Sequence, residues 1–214
     1  MRNKYKYIAY YSNADKAYIL NVPDLPGCMA DGKDIETARQ NLDIAIDEWI
    51  SVASEYGVHV PVPTDDTFDS TSPSIEDVTY YILRKTGNIS TVLLQKLLYY
   101  SQAWTLAWYN KPLFKQNFQA WINGPVNPQI FSHFQGCRVA QKDWIKSEHL
   151  LSKSEKHVID SVIEVYGNED PDWISQLTHT EDPWKNARKG LRPNERSTNT
   201  IKQSEIKEYY KQLV

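Results

Sequence analysis

The chain has 214 residues, 24% of them charged and 41% apolar, with a net charge of −3. Those values are ordinary for a soluble globular protein of one large or two small domains, and so modest a charge does not demand nucleic acid as a partner. Two cysteines, Cys28 and Cys137, lie far apart and outside any Cys-x-x-Cys pair, which excludes a disulfide scaffold and suits a reduced, cytoplasmic compartment. No apolar core follows Met-Arg-Asn-Lys-Tyr-Lys-Tyr, so no secretory signal is expected. Seven tryptophans and fourteen tyrosines imply large buried anchors, partner surfaces, or both.

Residues 4–11 alternate and are rich in β-formers, which predicts a strand; Ser12-Asn13 is a turn and Lys16–Val22 its hairpin partner. Pro23-Asp-Leu-Pro-Gly27 breaks regular structure, and Cys28–Ala30 is a short third strand. Asp34 caps a helix expected to run to about Tyr56, with Gly57 at its C-terminal end. Ile35, Ala38, Leu42, Ala45, Ile46, Trp49, Ile50 and Ala53 form one apolar stripe, as in a helix lying on a sheet. Glu36, Asp43 and Asp47 occupy the opposite face, read as solvated. Val58–Thr64 is expected to add a short edge strand, where proline is tolerated.

This β-β-β-α-β order carries Ala17-Tyr-Ile-Leu-Asn-Val-Pro-Asp-Leu-Pro-Gly-Cys28, then Gly32, an Ile35-Glu-Thr-Ala-Arg-Gln-Asn-Leu helix and Val60-Pro-Val-Pro63. It resembles the HicB antitoxin domain over residues 4–64. The resemblance implies a small α+β domain with a partial RNase H-like fold, and no nuclease activity, because that family lacks the clustered catalytic carboxylates. Domain boundaries are set at 1–64 for this part, 65–74 for a polar, acidic linker, and 75–214 for the rest.

The remainder reads as mostly helical. Ser74 and Asp77 form a capping box for a helix ending near Lys85, before Gly87. Ser90 caps a long helix stopped by Asn110-Lys-Pro112. Within it Leu94, Leu97, Leu98, Ser101, Trp104, Thr105 and Trp108 form one stripe, and Tyr99, Ala103 and Leu106 a second apolar face. Only Gln95, Lys96 and Gln102 look fit for water, so the helix is predicted to be the buried axis of the domain. Phe118–Ile122 is a short extended piece and Gly124-Pro125-Val126 a turn. Asn127-Pro128, Asp170-Pro171 and Asp182-Pro183 are N-cap and N1 pairs. Ser152-x-x-Glu155 is a second capping box for a helix to Tyr166, and Ser204 starts the last helix.

Five blocks stand in order here: Gln95–Trp104, Pro112-Leu-Phe114, Ala120-Trp-Ile-Asn-Gly-Pro-Val126, Leu177–Trp184 with Ala187-Arg188, and Ile206-Lys-Glu-Tyr-Tyr210. They resemble the Panacea domain of SocA-like and GepA-like proteins over residues 75–214. The resemblance implies an all-helical antitoxin domain that neutralises a toxin by direct contact, set behind a variable N-terminal domain.

Chemistry is sparse. His133 and Cys137 are four apart, but Gly136 interrupts their helix and nothing completes a zinc site, so no metal is expected. No glycine-rich phosphate loop and no nucleophile elbow is present, and no cofactor is expected. His179, Glu181 and Asp182 could suggest acid–base work; the structural alternative is a helix end, an N-cap and a histidine bonded into the fold, and no catalytic residue is expected. Residues 185–214 hold eight bases against three acids. That is either a solvated surface or a patch meeting an acidic toxin or nucleic acid.

The expected function is an antitoxin binding a protein toxin encoded by the neighbouring gene, without enzymatic activity. Trp121, Asn123, His179, Glu181, Trp184, Lys185, Arg188, Lys189 and Arg192 are the candidate toxin contacts. A homodimer or higher oligomer is expected through the first domain, and no membrane association. A DNA-binding autorepressor and a proteolytic adaptor are the alternatives, though no helix-turn-helix, ribbon or zinc-finger pattern supports DNA.

Overall fold

The computed structural model describes residues 4–65 and 67–214. Met1–Asn3, at the start of the first predicted domain, and Asp66, in the predicted linker, lie outside the described residues. The backbone divides into two compact units, one ending at residue 66 and taking in Leu213–Val214, the other spanning Thr67–Gln212.

In the first unit β1 (Ile8–Ser12), β2 (Ala17–Asn21) and β3 (Met29–Gly32) form an antiparallel meander. Ser12 faces Ala17 and Asn21 faces Met29. Between the last two strands the proline-flanked turn closes on itself: Val22 N–H donates to Cys28 O and Leu25 N–H to Val22 O, each at 3.0 Å, with Leu25 fully buried. α1 (Ile35–Glu55) starts where the Asp34 carboxylate accepts from Thr37 N–H at 2.8 Å. It buries Ala38, Leu42, Ile46 and Ala53 and packs on β3. Gly32 is needed at that junction, since a Cβ there would collide with the backbone nitrogen of Ala38. The expected edge strand over 58–64 does not form. Pro61 and Pro63 have no N–H to give a ladder, and the segment is held instead by Tyr5 OH donating to Pro61 O at 2.6 Å. Over its described residues the unit is therefore β-β-β-α.

In the second unit α2 (Ile75–Thr86) carries the full Ser74–Asp77 capping box. β4 (Ile89–Ser90) leads into α3 (Thr91–Tyr109), capped by Ser90 and ended by Asn110 at φ 60°. β5 (Phe118–Trp121) and β6 (Gly124–Val126) make a hairpin, followed by α4 (Pro128–His133) and β7 (Val139–Ala140). Next come α5 (Lys153–Tyr166), α6 (Pro171–Thr180) and α7 (Asp182–Ala187). β8 (Thr200–Ile201) and α8 (Gln203–Lys211) end the unit. The sheets are β4-β7 and β6-β5-β8. Five short strands make the unit mostly helical rather than all-helical, and Gly124–Val126 is a strand, not a turn. Pieces of two to four residues are too short for alternation to show in a sequence. Residues 67–73, ahead of α2, have no regular structure, yet they are fastened to this unit. Phe68 stacks on Tyr109 at 4.9 Å, and Thr71 N–H donates to the buried Glu155 at 2.8 Å.

α3 is the axis, packed by α8, α5, α2, α6 and β6. The three residues expected in water are all buried. Gln102 accepts from Leu113 N–H (2.9 Å) and Phe114 N–H (3.2 Å) and donates to Phe114 O (3.0 Å), so its amide stands in for a strand partner. Gln95 does the same for Asn127, accepting from its N–H at 2.8 Å and donating to its carbonyl at 3.3 Å. Buried amides satisfied in this way fix which loops lie against the helix. Two helix starts also differ from expectation. α7 has Glu181 at the N-cap with no side-chain bond, while Asp182 pairs with Lys185 at 2.6 Å. α8 starts one residue before Ser204, with Lys202 at the cap.

Candidate functional site

The β5–β6 hairpin brings the predicted surface residues together over the N-terminal half of α3. Gly124 turns the hairpin at φ 97°, and beneath it Lys96 Nζ donates to Asn123 O (2.6 Å) and Pro125 O (3.3 Å). A Cβ on Gly124 would lie 2.6 Å from Thr178 Oγ1 and 2.7 Å from Lys96 Cε. Gly124→Ala is therefore expected to lose roughly 2–4 kcal/mol, strained φ and overpacking acting together, read as a lower urea midpoint. An unchanged midpoint would show that the hairpin yields without cost.

Lys96 is 1% exposed, and burial pushes its pKa down from 10.5 to about 7. Its bonding partners are carbonyls alone, so no carboxylate offsets the desolvation of the ammonium. A buried, uncompensated lysine beside a cavity is an uncommon arrangement, and such groups cluster at functional sites.

Beside the hairpin three rings or planes stack. His179 lies 4.2 Å from Trp184, centroid to centroid, and the Arg188 guanidinium sits 5.1 Å over the same indole. Trp184 Nε1–H donates to Trp121 O at 2.9 Å. The His179 pKa is lowered, first by desolvation and then by Lys96 and Arg188, against a bond to the Ile122 backbone that raises it. Those surroundings disfavour the charged form of the stacked ring. Arg188, 6% exposed, donates to Ala120 O (2.9 Å), Arg192 O (3.3 Å), Pro193 O (3.1 Å) and Glu195 O (2.8 Å).

Glu181 turns away from this stack into the core. It accepts from Tyr100 OH at 3.1 Å and Tyr210 OH at 2.7 Å, and burial pushes its pKa up from 4.5 to about 8, against those two bonds and Lys185. Tyr100 stacks on Tyr166 at 4.4 Å, so one carboxyl joins α3, α8 and the α6–α7 junction.

The nine predicted contact residues therefore separate by environment. Asn123, Lys185, Lys189 and Arg192 are exposed, and Trp121, His179 and Trp184 are half-buried. Glu181 and Arg188 point inward and hold the others in place. Sequence reasoning missed Lys96 and Phe131. Both line a cavity of about 780 Å³ that opens beside the hairpin, where Trp121 meets Phe131 edge-to-face at 4.8 Å. His133 lies with its Nε2 3.7 Å from Glu76 Oε1. Among the described residues no group of three or more His, Cys, Asp or Glu could hold a metal ion. No described helix is long and apolar enough to cross a membrane.

Comparison with known proteins found two family models and nothing else: no curated protein and no solved structure matches the chain. Residues 7–85 match the HicB-like antitoxin of bacterial toxin–antitoxin systems, running through the end of α1 into α2. Residues 94–185 match the SocA-like antitoxin Panacea domain, from the first turn of α3 to α7. Both are antitoxin families, which supports the role of antitoxin in a toxin–antitoxin pair. The chain thus joins a HicB-like antitoxin domain to a SocA-like Panacea antitoxin domain, in that order.

Proposed function

We propose that this protein neutralises a cognate protein toxin by binding it directly, without catalysis, through the face formed by the β5–β6 hairpin, α7 and the loop after it. The observation that carries the reading is the tandem of two antitoxin family matches in one chain. The face itself supports it: Lys185, Lys189 and Arg192 are exposed beside half-buried Trp121 and Trp184. Anchoring aromatics inside a cationic rim suit a protein partner with an acidic surface. Co-expression with the toxin gene beside its own is the test. Growth rescue and co-purification are expected, and failure of both overturns the reading. Within the complex, reversing charge at Lys185, Lys189 and Arg192 together (each →Glu) is expected to weaken binding about tenfold or more, mainly through slower association at low salt. Unchanged kinetics would move the interface elsewhere.

For the first unit we propose self-association. Met29, Ile44, Val52, Tyr56, Val58 and Val62 are large apolar residues left exposed on it, and among the described residues β1 and β3 each have one unpaired edge. Light scattering of the full chain should give at least twice the mass of one chain, and a monomer at high concentration rules this out.

A further inference from the structure

The cavity beside the hairpin is too large to be a packing defect. Its volume of about 780 Å³ lies within the range of roughly 300–1,000 Å³ typical of ligand sites. Ile130, Phe131 and Phe134 of the α4 region and Trp121 of β5 supply apolar walls, and Lys96 and Arg196 line it as well. None of its lining residues is acidic. Lys96 is bonded only to the carbonyls of Asn123 and Pro125, and an ammonium has three donors to place. Arg196 is exposed and has no ion pair among the described residues. Phe131 is 40% exposed although it meets Trp121 edge-to-face.

An apolar volume with two basic side chains and no acidic one complements one chemistry: a flat or branched apolar group carrying a carboxylate. The source follows from continuity with the face described above. Trp121 lines the cavity and its carbonyl accepts from Trp184 Nε1–H, so the wall of the cavity is continuous with the face that carries Trp184 and Lys185. We propose that the cavity is the anchor site for the partner toxin, seating an acidic residue together with an adjoining aromatic or aliphatic side chain. The proposal rests on direct toxin binding, and it assigns Lys96, Phe131 and Arg196 as anchor-contacting residues outside the predicted set. Lys96 would give the carboxylate a desolvated ion pair, and Arg196 a second contact nearer to solvent. The wall of Phe131, Ile130 and Trp121 would bury the apolar neighbour.

Two measurements test it on the full chain. In the first, 3-phenylpropionate and its uncharged amide are titrated calorimetrically as probes of the cavity alone. The acid is expected to bind at least about tenfold more tightly than the amide, the size of one moderately effective ion pair. Lys96→Met should abolish that preference, and Arg196→Glu, on the surface and harmless to folding, should reduce it. Equal binding of acid and amide, or no binding of either, overturns the assignment. In the second, toxin affinity is compared between wild type and the Lys96→Met and Arg196→Glu variants, with circular dichroism melts confirming that each folds. A loss of about tenfold or more in both supports the anchor. Affinity equal to wild type overturns the anchor and leaves direct toxin binding standing. If wild type itself does not bind the toxin, direct binding falls, and the toxin falls with it as the occupant of the cavity. The probe titration would still decide whether the cavity has the chemistry assigned to it.

Discussion

Arg188→Ala is expected to destabilise the helical unit by about 3–5 kcal/mol, a loss typical of removing one member of a buried charged network. The guanidinium reaches carbonyls on both sides of the site: Ala120 on β5, and Arg192, Pro193 and Glu195 in the loop before β8. Bonds from a charged donor each contribute roughly 1.5–3 kcal/mol, but the loop carbonyls lie near solvent and regain water, so the total falls well below four such bonds. Loss of the stack on Trp184 adds to the cost. Arg188→Lys should recover little of it, because one ammonium cannot span Ala120 and Glu195 as a planar fork does. Urea unfolding followed by tryptophan fluorescence gives the stability. Amide exchange over residues 192–198 should accelerate selectively, since the loop would lose its tie to β5. A variant within 1 kcal/mol of wild type would mean that the carbonyls are satisfied without the guanidinium.

Much of the framework was legible because it is written in local chemistry. Ser74 with Asp77 and Ser152 with Glu155 close both capping boxes, and Asp34, Ser90, Asn127 and Asp170 accept from their helices as cap chemistry requires. What was misread depends on partners distant in sequence. Gln95, Lys96 and Gln102 look like a wet edge of α3 when the helix is considered alone. They are buried because loops at 113–114 and 123–127 bring backbone groups that amides and an ammonium can satisfy. A helix whose long polar side chains number only three, with no charged face, offers nowhere for them to meet water, and that was the available signal. Val58–Thr64 fails as a strand for the opposite reason. Its alternation is right, but its prolines remove the donors that a ladder needs.

The candidate site was legible as a neighbourhood rather than as a set of roles. The blocks at 95–104, 120–126 and 177–188 do meet, through Trp184 and Trp121, Arg188 and Ala120, and Lys96 under Gly124. Sequence reasoning could not tell which charges face solvent. Glu181 follows His179 in a polar run of the same appearance, yet its side chain alone turns to the tyrosines of α3 and α8. Residues expected to form one surface thus divide into an outer face and the supports that hold it.

Glu181→Ala is expected to lower stability by about 4 kcal/mol, because it strands two buried hydroxyls, each costing roughly 1–3 kcal/mol, and leaves a cavity among aromatic rings. Glu181→Gln keeps the volume and one acceptor and should fall within about 1–2 kcal/mol of wild type near pH 7. The sharper distinction lies in pH. The folded carboxyl holds its proton up to about pH 8, whereas the unfolded one releases it near 4.5, so the folded state binds the extra proton between those values. Stability from this group is therefore complete below pH 4.5 and declines by about 1.4 kcal/mol per unit as pH rises toward 8. Lys96 acts in the opposite sense: its pKa is near 7 folded and 10.5 unfolded, so its share of stability rises with pH across that window. The two groups together place a minimum of stability between about pH 7 and 8. Urea midpoints measured from pH 5 to 10 should show the falling limb in wild type and its absence in Glu181→Gln, with the rising limb retained. Lys96→Met should show the converse. A Glu181→Gln profile parallel to that of wild type below pH 8 would mean that the carboxyl is ionised in the fold, hydrogen-bonded by Tyr100 and Tyr210 as an anion.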